Sequence, residues 1–194
     1  MSASVTDLIT AHLVDHFGIT PQRASVTFLG VEPIDVARFA GAGGDGEIAY
    51  VTLGCARHPM SDPADRNPDP VRGPRAELVL RARPGTPMPG LHRRLAAVAA
   101  APAVEGLVLT DDALLDLGEP LWDGAPFTAL LTEPDAIADL PLAAPREPVR
   151  FLRAVPITAN EAAWVRLKGA AALREAWAEA GLDVGDPARA AATM

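Results

Sequence analysis

Cysteine is nearly absent: Cys55 stands alone, which excludes an intrachain disulfide and any zinc site built from several thiolates. Lysine is equally scarce, Lys168 being the only one, so the basic residues are almost all arginine. Acidic residues outnumber basic ones, 25 against 17, for a formal charge of −8. A chain of that sign lacks the clustered cations that bind a phosphate backbone by releasing counterions, so a nucleic-acid partner is excluded. Long apolar runs are missing too. The longest, such as Leu95–Ala101, fall far short of the roughly 20 residues that cross a bilayer. Met1–Phe17 has no basic leader and carries Asp7 and Asp15 within its apolar pattern, so it does not read as a secretory signal. These absences lead us to expect a cytoplasmic protein with no membrane partner.

What is present is apolar material. Of the 194 residues, 49% are hydrophobic and 22% charged, enough for one core and too little charge for a disordered chain. The length fits one domain. We place it at residues 1–185 and read 186–194 as a fraying tail with little to bury.

Ser4 and Asp7 form an S-x-x-D capping signal, followed by Val5, Leu8, Ile9, Leu13 and Phe17 at helical spacing until Gly18. Ser25–Gly30, Ile34–Ala40 and Glu47–Gly54 read as strands, the last two joined by the glycine-rich turn Gly41–Gly46. His58–Pro74 is dense in proline and aspartate and predicts a long exposed loop. Arg75–Arg83 alternates as a half-buried strand. Leu91, Leu95, Val98 and Ala99 mark a second helix that Pro102 should end near Ala101. Val104–Thr110, Leu114–Leu117, Phe127–Thr132 and Val149–Pro156 are further strands. A helix capped by Asn160 follows, then one over Ala170–Ala180 with Leu173 and Trp177 on one face and Gly181 as its stop. Strands and helices do not alternate strictly. The expected fold class is therefore α+β, a mixed and mainly antiparallel sheet with helices packed on it.

Four constellations carry possible chemistry. Gly41-Ala-Gly43-Gly-Asp-Gly46 matches the dinucleotide fingerprint G-x-G-x-x-G, but a strand follows where a helix N-terminus must hold the pyrophosphate. A hairpin turn fits the context better. His12 and His16, four apart on a helix, have the spacing of two metal ligands, yet a site needs three or four. Cys55 and His58 pair a thiol with an imidazole but show no orienting group or oxyanion donor nearby. Asp111, Asp112, Asp116, Glu119 and Asp123 form an acidic stretch without the spacing of a calcium loop. It suits contact with a basic partner.

Tyr50-Val-Thr-Leu-Gly54, Ala76-Glu-Leu-Val-Leu-Arg81, Pro126-Phe-Thr-Ala-Leu-Leu131 and Val149-Arg-Phe-Leu-Arg-Ala-Val-Pro-Ile-Thr158 with Glu161 resemble, in order, the signatures of the suppressor-of-fused domain. The resemblance covers about Ala3–Leu182. It departs at Cys55 and Ala56, where the family has a hydrophobic residue and a serine. The resemblance implies protein binding. Two-lobed animal relatives trap an extended peptide by β-addition between lobes, whereas bacterial single-domain relatives are regarded as immunity proteins that neutralise a toxin.

We therefore expect a protein-binding module, not an enzyme, with no cofactor and no metal. Its partner is another protein or extended peptide, neutral or basic, and the chain itself is a monomer or weak homodimer. Expected contact residues are Tyr50, Glu77, Asp111, Asp112 and Asp116, together with a sheet edge. The alternatives are a small hydrolase or metal-dependent enzyme using His12, His16, Cys55 or Asp112, and a structural protein that pairs with itself.

Overall fold

The computed structural model describes residues 3–41 and 43–193. Its first helix, α1 (Val5–Phe17), begins with the capping box read from the sequence: the Ser4 side chain takes the Asp7 N–H and the Asp7 carboxylate takes the Ser4 N–H. Such a cap contributes about 1 kcal/mol. Gly18 ends the helix in the left-handed conformation that a side chain would strain.

Seven strands follow in one sheet: β1 (Gln22–Val26), β2 (Ile34–Ala40), β3 (Ile48–Leu53), β4 (Arg75–Ala82), β5 (Leu114–Asp116), β6 (Phe127–Pro134) and β7 (Val149–Thr158). Their spatial order is β1-β2-β3-β4-β7-β6-β5. Every neighbouring pair is antiparallel except the central β4 and β7. The remaining helices are α2 (Leu91–Glu105), α3 (Ala159–Lys168) and α4 (Ala170–Glu179). This is the expected α+β class with a mixed, mainly antiparallel sheet.

The helices divide between the two faces because the strands alternate. Ala76, Leu78, Leu80 and Ala82 of β4 meet Leu91, Leu95 and Ala99 of α2 in one cluster. On the opposite face, Ile9 and Leu13 of α1 pack on Phe39, Val51, Val79 and Phe151, while Leu173 and Trp177 of α4 cover Leu131, Val155 and Ile157. Burying one such aliphatic side chain contributes roughly 1.5–3 kcal/mol. Because both faces are covered, β4 is buried on both and is not the half-buried strand its alternation predicts.

Several local expectations are corrected. β1 runs from Gln22 to Val26, so Thr27, Phe28, Leu29 and Gly30, read as strand, fall in the connector to β2. Pro102 does not end α2, which runs on to Glu105. Proline removes only the N–H that would bond Val98 in the last turns, and its own carbonyl accepts the capping N–H of Gly106 at 3.1 Å. The segment 106–110 is not a strand. Thr158, not Asn160, caps α3, because Glu161 stands three residues after it and completes the box.

The tail expected to fray is tied down. Arg189 and Ala192 are buried, and the Arg189 guanidinium donates to both oxygens of Glu161 at 2.8 and 2.9 Å. It also lies over the Phe127 and Trp177 rings. Met194, the last residue of that tail, lies outside the described residues, as does Ala42 of the glycine-rich turn. The rest of that turn joins β2 to β3 as a hairpin, with the Gly41 N–H on the Glu47 carbonyl.

Candidate functional site

The sheet has two outer strands, and β5 is the shorter. It follows a turn in which Asp112 holds φ 59°, the one positive value among described residues other than glycine, a conformation that aspartate tolerates better than most side chains. The Asp112 N–H donates to the Thr132 carbonyl at 2.9 Å, the Thr132 N–H to Ala113 at 3.0 Å, and the Leu117 N–H to Thr128 at 3.0 Å. In an antiparallel ladder inward and outward groups alternate. Leu114 and Asp116 therefore turn their N–H and C=O groups to the free side, where no described strand pairs with them.

Beside this edge runs a groove of about 380 Å³ between β5 and α2, lined by Ala97, Val98, Ala101, Leu107, Leu115 and Leu117 and flanked by Glu105, Asp116 and Glu119. The carboxylates from Asp111 to Glu119 are ordered by arginines. Asp111 takes both oxygens to Arg150 at 2.9 and 3.0 Å, Asp112 meets Arg174 at 2.7 Å, Asp116 pairs with Arg166, and Glu119 meets Arg94 at 2.7 Å. The Arg166 guanidinium, bonded to Asp116, holds its carboxyl below the usual range, with the Gly118 N–H helping. Asp111, Asp112 and Asp116 remain 42%, 59% and 48% exposed, so pairing orients them without hiding them from a partner.

The five expected contact residues are not all brought together. Asp116 lies on β5 itself, while Asp111 and Asp112 stand in the turn before it and reach to Arg150 of β7 and Arg174 of α4. Tyr50 is half-buried on the α2 face of β3, four strand spacings from β5, or roughly 19 Å. Glu77 is fully buried, so burial removes it from any contact surface.

Glu77 instead holds the chain just beyond β3. The β3–β4 pairing ends at Val51 and Val79, and Glu77 fills the opening. Its carboxylate accepts the Thr52 hydroxyl at 2.6 Å and the amides of Gly54, Cys55 and Ala56 at 2.8, 3.3 and 3.0 Å. Thr52 in turn accepts the Leu78 N–H at 2.9 Å, replacing the lost ladder bond. Burial pushes the Glu77 carboxyl up to about 7, against the pull of those four donors.

The residues of the enzyme alternative have other occupations. His12 places Nε2 2.8 Å from the Ala138 carbonyl and stacks on Phe151; His16 sits edge-on to Phe17. Among the described residues no group of three His, Cys, Asp or Glu side chains converges as a metal site would require. Burial, then the charge of Glu77, pushes the Cys55 thiol well above its ordinary range, the opposite of what a nucleophile needs. His58 bonds Glu32 at 3.3 Å. Glu32 and Arg57, paired at 3.1 Å, were not singled out in the sequence, since neither belongs to a motif and they meet only through folding.

A family model described as suppressor of fused protein (SUFU) matches residues 30–190. No curated protein matches the chain. Among solved structures, a SUFU homolog of Neisseria gonorrhoeae FA 1090 superposes with a TM-score of 0.68 at 18% identity, over 97% of each chain. The Sufu-Fu complex gives 0.61 at 16% identity, over 91% of this chain and 83% of that one. Drosophila Suppressor of Fused gives 0.54 at 18% identity, over 81% of this chain but 42% of that one. At these identities the likeness to each structure is one of fold.

Proposed function

Because the chain belongs to the suppressor-of-fused family, whose model matches well over half of it, we propose that it is a protein-binding module without a reacting centre. It takes an extended segment of a neutral or basic protein along β5, by strand addition. The observation that carries this is the β5 edge itself: outward backbone groups at Leu114 and Asp116, a leucine-lined groove alongside, and the exposed carboxylate of Asp116, with those of Asp111 and Asp112 in the turn before the strand. In such a mode backbone hydrogen bonds supply affinity and the groove selects side chains. A similar structure is that of Sufu with Fu, so a protein of this fold meets a protein partner.

Its role is that of an immunity protein, an inhibitor that neutralises a toxin or effector. The acidic balance and the end-to-end match to a bacterial homolog support it, and among the described residues no helix is long and apolar enough to cross a membrane. It acts in the cytoplasm.

The test is paired affinity capture from the source organism with the native chain and Asp116→Pro as baits. Proline deletes one outward N–H and one carboxylate without touching a ladder bond. A defined protein held by the native chain and lost from the variant is expected. No capture, or equal capture by both, contradicts the reading.

A further inference from the structure

Three carboxylates flank the groove beside β5, and one of them has no answering charge in the chain. Asp116 is paired with Arg166 and Glu119 with Arg94, whereas Glu105 is exposed and has no cation partner among the described residues. Glu105 is also the last residue of α2, and no basic residue stands in that last turn. A carboxylate there adds to the negative end of the helix dipole, where a cation is the favoured neighbour. A local rule broken with no compensation inside the fold points to something outside it.

Ala97, Ala101 and Glu105 stand four apart on one stripe of α2 that spans about 12 Å. Leu115 and Leu117 line the other wall and turn to the α2 side of the sheet, whereas Leu114 joins the cluster under α4 and Asp116 reaches to Arg166 of α3. Glu119 meets Arg94, near the start of α2, at 2.7 Å. The helix therefore runs back along the strand and sets Glu105 at the far end of the groove. The spacing suits an extended chain. Side chains on one face of a strand recur about every 6.6 Å, so three of them cover the stripe: one over Ala97, one over Ala101 and one at Glu105. Alanine leaves the first two positions open, and a groove of about 380 Å³ takes two aliphatic side chains there, since about 150 Å³ holds a benzene ring.

We infer that the segment added to β5 presents to the groove two aliphatic residues, two positions apart, and a lysine or arginine two positions further on, at the end that meets Glu105. This rests on strand addition at β5 and names what that edge selects. The test is selection of phage-displayed random nonapeptides by the full chain, with Glu105→Lys and Asp116→Pro as parallel baits. The native chain should enrich aliphatic-x-aliphatic-x-basic, in either chain direction, with Lys or Arg favoured over Asp or Glu at the outer position by at least about tenfold. Glu105→Lys should keep the aliphatic pair and reverse the charge preference. That variant stays folded, because a cation at a helix C-terminus is favoured, and circular dichroism checks it. A basic preference that Glu105→Lys leaves unchanged, or selected peptides without the aliphatic pair, overturns the inference; if Asp116→Pro loses those same peptides, addition at β5 still stands. Peptides that Asp116→Pro retains, or no enrichment by the native chain, overturn both.

Discussion

Glu77 and Arg75, two residues apart on β4, grip opposite ends of one short turn. Glu77 accepts the amides of Gly54, Cys55 and Ala56, while Arg75 donates to the carbonyls of Ala56 and Arg57, both at 2.9 Å. The turn they hold, the 3-10 segment Cys55–Arg57, carries the single thiol. Arg75 also donates to the Val71 carbonyl at 3.1 Å, which anchors the end of the long His58–Pro74 loop.

The Glu77 carboxyl makes stability depend on pH. Its folded value, raised to about 7 by burial, exceeds that of an unfolded glutamate, so the folded state holds the proton more tightly. The associated stability is fully present below about 4.5 and is lost as pH rises through about 7, by on the order of 3 kcal/mol. Urea midpoints at pH 5 and pH 8 should therefore diverge in the native chain, and the divergence should shrink in Glu77→Gln. Equal divergence in both proteins contradicts this.

Gly54 should not tolerate alanine. It holds φ 130° at the start of the turn, and a Cβ there would lie 3.0 Å from Ile34 Cδ1 and 3.2 Å from Arg57 Nη2. Gly54→Ala should lower unfolding free energy by roughly 1–3 kcal/mol, read from denaturant titration.

The Glu161–Arg189 pair should be costly to break from one side. Both side chains are buried. Burial raises the Glu161 carboxyl, but Arg189, the Ala192 and Thr158 amides and Trp177 outweigh it and hold it below the ordinary range. Arg189→Ala leaves that charge without its cation and should destabilise by about 3–5 kcal/mol. Thermal unfolding checks it, and a shift within error contradicts the docking of the tail.

Cys55 should be nearly inert while the fold is intact. With the thiol buried and held protonated, its reaction with an aromatic disulfide at pH 7 should be slower than that of free cysteine by at least about tenfold. Denaturant should abolish the difference. Rapid labelling in the folded chain contradicts the non-catalytic reading.

Local signals in the sequence located most elements. Ser4, Asp7 and Gly18 frame α1 because caps are written in neighbouring residues, and Ile34–Ala40 reads directly as β2. Local signals do not reach the places where distant contacts decide. Pro102 stays inside α2 because that turn is nearly its last. The tail is ordered by Glu161, 28 positions before Arg189. Glu77 reads from the sequence as a contact residue on an amphipathic strand, and only the two covered faces show that it points inward. At the site, the acidic stretch was legible as composition. Its pairing with Arg94, Arg150, Arg166 and Arg174 was not, since those partners lie 25 to 62 positions away along the chain.

Amide hydrogen exchange reads the outward backbone groups of β5 directly. In the complex with the captured partner, the N–H groups of Leu114 and Asp116 should exchange more slowly by at least about tenfold, with β1 unchanged. Protection that spares β5 while covering another surface contradicts strand addition at this edge.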